Sequence, residues 1–115
     1  ESAEESAAFL DMVGSVSLDE LMLVLESLQE ELREFRTQID FIDLEIAKIE
    51  IKLLGALDPI GIAQLEAELA VLRDEREYLE EEKSALEFKI DQVKERIKEV
   101  RSEGNLDGNV ESNKE

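Results

Sequence analysis

The 115 residues carry 31 acidic and 13 basic side chains, a formal net charge of −18. That charge repels nucleic-acid phosphates and anionic membranes, and it favours either simple solubility or a basic partner. The absence of Cys and His excludes disulfides, thiolate metal sites and Cys–His catalysis, while 4% aromatic content argues against a broad globular core.

One Pro, five Gly and 38% charged residues suit long helices. The 43% apolar content is concentrated in the middle of the chain, so the sequence is not disordered throughout. No apolar run is long enough to span a membrane. No basic segment followed by an apolar one opens the chain, so no signal peptide is read, and the expected setting is intracellular, cytoplasmic or nuclear. The first residue is Glu rather than Met, which suits a processed protein or a piece of a longer one.

Residues 1–16 are acidic and small at first, then apolar at Phe9, Leu10, Met12, Val13 and Val16. Gly14 and Ser15 are expected to separate this piece from the long helix after it. Two readings stand side by side: a flexible acidic and apolar arm, or a segment that folds back onto the rest. As an arm, it offers Phe9, Leu10, Met12 and Val13 as anchors for a partner groove.

Residues 17–54 form the first long helix. Ser17-Leu18-Asp19-Glu20 is a capping box, in which the Ser17 hydroxyl accepts the Glu20 N–H and the Glu20 carboxylate accepts the Ser17 N–H. From Leu18 to Leu53, apolar residues recur at alternating spacings of three and four: Leu18, Leu21, Leu25, Leu28, Leu32, Phe35, Ile39, Ile42, Ile46, Ile49, Leu53. This is an a/d heptad seam, the pattern of a helix that supercoils around another. Ile49, Ile51 and Leu53 also alternate with charged residues as a strand would, but the heptad continues through them. Gly55 is expected to close the helix in the left-handed conformation.

Residues 55–58 make a short link, which favours antiparallel neighbours over one kinked helix. Asp58 is a suitable N-cap and Pro59 a suitable first helical residue. The second helix covers 59–102, with a seam at Ile62, Leu65, Leu69, Leu72, Arg76, Leu79, Lys83, Leu86, Ile90, Val93, Ile97 and Val100. Gly104, Asn105, Asp107, Gly108 and Asn109 predict a disordered tail over 103–115.

Arg76 and Lys83 interrupt the second seam at a positions. They set register or oligomeric state if paired with carboxylates such as Glu31, Asp43 or Glu45, or else snorkel their charges into water. The hairpin is expected to bring Asp43, Glu45 and Glu50 towards Glu66 and Glu68, a like-charge contact. The flanks of the second helix are acidic early (Glu66, Glu68, Glu75, Glu80, Glu82, Glu87, with Arg73 the exception). They are basic late (Lys89, Lys94, Arg96, Arg101). That order complements a second antiparallel copy, Glu82 meeting Lys89 and Glu75 meeting Arg96. Phe41, Leu44, Ile51, Val71, Tyr78 and Phe88 lie off the seams and form a candidate oligomer face. Leu57 and Ile60 form an apolar tip.

The expected fold is therefore all-α, an antiparallel coiled-coil helical hairpin assembling into a four-helix bundle or a longer coiled coil. Glycine-rich phosphate loops and nucleophile elbows are absent, and carboxylates without His do not make a di-metal bundle site. An all-carboxylate Ca or Mg site would be possible chemically, but has no loop signature. No catalytic, cofactor-binding or metal residue is assigned. The expected role is non-enzymatic: an adaptor, scaffold or assembly factor that pairs with itself, as a homodimer, or with another coiled-coil subunit, without nucleic acid. The hairpin with its apolar tip, and Lys52-Leu53-Leu54-Gly55 before a long coiled coil, resembles prefoldin-like chaperones over those residues alone. The resemblance implies a clamp for client proteins, although the strands of a prefoldin platform are not read here. An acidic nucleic-acid mimic that blocks a basic protein is the other alternative.

Overall fold

The structure is a computed structural model that describes residues 3–112, with side chains from 5 to 103. It is all-α: α1 spans Ala3–Ser15, α2 Leu18–Gly55 and α3 Pro59–Ser112. The helical hairpin expected from the seams is formed by α2 and α3. Two compact units divide the chain, residues 1–31 with 85–115 (unit 1) and residues 32–84 (unit 2).

The start of α2 follows from its capping box. Ser17 N–H donates to Glu20 Oε1 at 3.1 Å, and Glu20 N–H donates to Ser17 Oγ at 3.2 Å. Each satisfies a backbone donor that the first helical turn leaves without an intrahelical partner. The helix then continues through Ile49, Ile51 and Leu53, so the short alternation there does not produce a strand. At its end, Gly55 is the last helical residue, and no residue with positive φ occurs in the described backbone. The left-handed cap expected at Gly55 is thus absent. Instead, Ala56 N–H closes a tighter turn on the Leu53 carbonyl at 3.3 Å.

Ala56, Leu57 and Asp58 form the non-helical link. Asp58 Oδ2 accepts the Gly61 N–H at 3.1 Å, while its carbonyl accepts the Ile62 N–H at 2.8 Å. Pro59 fills the first helical position, where its missing N–H costs nothing. Helix α3 runs on to Ser112, past the expected end near Ser102. No Pro follows Pro59, so no residue in that stretch lacks the donor for an i→i−4 bond, and its glycines weaken the helix without stopping it. Residues 113–115 of the expected tail lie outside the described residues.

Every seam position is buried or half-buried, including Arg76 and Lys83. In unit 2 the buried seam residues are Leu32, Ile39, Ile49, Leu69 and Leu79. There the antiparallel direction is fixed by Arg76 pairing with Asp43 and Arg73 with Glu50, late positions on one helix meeting early ones on the other. In unit 1, Leu21, Val93 and Ile97 form a buried cluster, with Leu18, Leu25, Leu28 and Val100 packed on it.

Among the described residues, the one buried residue from outside the seams is Val13, at 4% exposure. It corrects the flexible-arm reading of residues 1–16. Phe9 and Val13 stand at i and i+4 on one face of α1, Val16 follows in the bend after it, and all three join the unit 1 cluster. The ammonium of Lys89 lies 5.5 Å from the Phe9 ring centroid, a cation–π distance that ties α1 to α3. Gly14 does not separate the segment; α1 passes through it to Ser15, and the break falls at Val16 and Ser17.

Two stability measurements check this packing. Leu79→Ala should cost about 2–5 kcal/mol in denaturant unfolding, and Leu72→Ala, at a half-buried position, clearly less. Val13→Ala should cost about 1.5–3 kcal/mol, because it removes the buried methyls that join α1 to the core. A Val13 variant as stable as the wild type would show that α1 is not part of the folded unit.

Candidate interaction surfaces

The two flanks of the unit 2 hairpin differ in chemistry. On the e side of both heptads, ion pairs close the seam. Arg76 Nε donates to Asp43 Oδ1 at 2.5 Å and its Nη2 to Asp43 Oδ2 at 3.4 Å, a two-pronged contact. Arg76 Nη1 also stands 3.4 Å from Glu80, and Lys83 Nζ 3.6 Å from the same carboxylate. Arg73 Nη2 reaches Glu50 at 3.1 Å. The Asp43 hydrogen bond, aided by the Asp43 and Glu80 charges, raises the Arg76 guanidinium above its ordinary pKa. Any stability linked to that raised value is present at lower pH and lost only as pH rises through it, beyond the range where proteins work.

These contacts revise the expected like-charge clash. Asp43 and Glu50 meet Arg76 and Arg73, and Glu45 pairs with Lys48 along its own helix at 3.4 Å. Among the three carboxylates expected near the interrupted seam, Asp43 alone reaches Arg76; Lys83 is served by Glu80 of α3. Arg73 had stood out in the sequence as the exception in an acidic flank, and that exception is the signal for its pairing.

On the g and c side of unit 2 the seam stays open. Phe41 and Tyr78 stand over Ile42, Leu72 and Leu79 in an open groove of about 690 Å³, rimmed by Glu45 and Glu75. The six expected oligomer-face residues are all exposed, from Phe88 at 48% to Ile51 at 68%. The structure brings Phe41 and Tyr78 into one groove; Leu44, Ile51 and Val71 are exposed elsewhere on unit 2, and Phe88 is exposed on unit 1.

The tip residues Leu57 and Ile60 are exposed, Leu57 at 92%, together with Leu54 beside them. Of the anchors expected on α1, Val13 is buried and Phe9 half-buried, so neither is presented to a partner; Leu10 and Met12 are exposed. Among the described residues, no group of three or more acidic side chains is placed to hold a metal ion, and no helix is long and apolar enough to cross a membrane.

Compared with family models, curated proteins and solved structures, the chain matches none.

The ionic flank should be a minor contributor to stability. Both partners of the Arg73–Glu50 pair are more than half exposed, so Glu50→Gln should cost at most about 1 kcal/mol, a cost that shrinks in about 1 M salt. Thermal denaturation at two salt concentrations measures both effects.

Proposed function

We propose that the protein is a non-enzymatic interaction module, an adaptor, scaffold or assembly factor, whose open apolar flank is covered by a second copy of the chain. The observation that carries this proposal is the open groove of unit 2, in which Phe41 and Tyr78 stay exposed beside a seam that is already filled. An apolar groove left open beside a filled seam marks an interaction surface. The charge order along α3 selects the occupant. Glu75 and Glu82 form no ion pair among the described residues, and an antiparallel second α3 would offer them Arg96 and Lys89. Two hairpins related by a two-fold axis form a four-helix bundle, an arrangement that buries broad apolar faces. An intracellular setting, cytoplasmic or nuclear, goes with this function.

Within that assembly we assign Arg76 and Lys83 a register-setting role. Charged a positions lower stability but discriminate among alternative alignments, and the two-pronged Asp43 contact gives Arg76 a directional partner.

A client-gripping clamp is the second reading, favoured by the exposed apolar tip of Leu54, Leu57 and Ile60. It calls for suppression of client aggregation that Leu57→Ser with Ile60→Ser removes.

Light scattering separates these readings. Wild type should have the mass of a dimer, and Leu44→Glu with Val71→Glu should give a smaller species with unchanged helical circular dichroism. A wild type that stays monomeric at high micromolar concentration overturns self-association. Arg76→Leu with Lys83→Leu should raise the melting temperature while broadening or changing the oligomeric state; a homogeneous dimer of higher melting temperature would remove the register-setting role.

A further inference from the structure

The same flank that ion pairs close in unit 2 is built differently in unit 1. There α2 supplies Met22 at an e position, where unit 2 has Asp43 and Glu50. Opposite it, α3 supplies Lys94 and Arg101 at e positions and Lys98 beside them. These three cations rim an open groove of about 590 Å³ floored by Met22, Leu25 and Ile97. Glu95 and Ser102 complete its lining. Among the described residues none of the three cations forms an ion pair; Arg101 Nη2 makes only a weak contact to Met22 Sδ at 3.8 Å.

The two ordinary explanations for such cations fail here. A helix C-terminus attracts cations within its last turn, but α3 continues to Ser112, beyond Arg101. Cations at e positions commonly neutralise acids across the seam, but the residue facing Arg101 is Met22. Three cations without an ion pair among the described residues, around an apolar floor on a chain of net charge −18, form a surface whose sign opposes that of the chain as a whole.

We propose that this groove binds an acidic amphipathic helix from a partner protein, with three carboxylates aligned on Lys94, Lys98 and Arg101 and an apolar side chain seated on Met22, Leu25 and Ile97. The spacing favours that occupant. The cations stand at i, i+4 and i+7, about 10 Å along the helix axis, which a partner helix bearing acids at the same spacing matches. The apolar floor gives affinity that a purely ionic ligand cannot use. Extended polyanions are disfavoured, because the 31 acidic residues of the chain repel phosphates that reach beyond the groove. The site uses Lys94, Lys98 and Arg101, whereas the proposed self-association uses Lys89 and Arg96, so the two surfaces are separable.

The test is fluorescence anisotropy of a labelled helical peptide with Glu at i, i+4 and i+7 and Leu on the adjoining face, titrated with the full chain. Saturable, salt-sensitive binding is expected, weakened at least about tenfold by Lys94→Gln, Lys98→Gln and Arg101→Gln together, and similarly by replacing the peptide's Leu residues with Ser. Circular dichroism and light scattering on the same variant should be those of wild type. The Leu44→Glu, Val71→Glu variant should retain binding, which keeps a failure of self-association distinct from a failure of this site. Absence of saturable binding, or unchanged affinity in the triple variant, overturns the proposal. So does equal affinity for the Leu-to-Ser peptide, for an oligodeoxythymidylate or for phosphatidylserine vesicles, since each would show a surface that reads charge alone.

Discussion

Burial of the a/d seam is the interaction on which the other features depend. Each Leu or Ile removed from water contributes about 1.5–3 kcal/mol, whereas an exposed ion pair contributes about 0–1 kcal/mol. The seam therefore sets the pairing of α2 with α3, and the charges adjust to it. The seam admits Arg76 and Lys83 because their stems lie along it while their charged ends reach Asp43 and Glu80 at its margin. With the seam in place, every residue away from it acquires a side, and the sides are chemically unlike.

The pattern of sides differs between the two units. In unit 2 the e flank is ionic and closed, and the g and c flank is open, its groove lined by Phe41 and Tyr78 together with Glu45 and Glu75. In unit 1 the e flank carries Lys94 and Arg101 beside Met22, and neither cation forms an ion pair among the described residues. The apolar face of α1 is already used within the fold. Its Phe9 and Val13, with Val16 just past its end, extend the unit 1 core beyond what two helices bury alone. A segment that resembled a recognition motif in composition is thus, in its described residues, a third helix packed on the unit 1 core.

Much of this protein was legible in the sequence by itself. The helical class, the seam positions, the capping box at Ser17 and Glu20, the Asp58-Pro59 start and the exposure of the off-seam apolar residues are consequences of periodicity and local hydrogen-bonding capacity. Such signals lie within a few residues of one another along the chain, so no tertiary information is needed to read them. Other outcomes depended on which side chains distant in sequence come together. Asp43 with Arg76, Glu50 with Arg73, Arg101 with Met22 and Val13 with Val93 and Ile97 are long-range meetings. A short apolar helix such as α1 looks the same in sequence whether its face meets its own core or another protein, and only the tertiary structure decided between them. Composition counted the acids and bases; the register of the hairpin determined which carboxylates found an arginine and which cations were left beside methionine, because charge pairing falls off within a few ångströms and a heptad shift changes every neighbour.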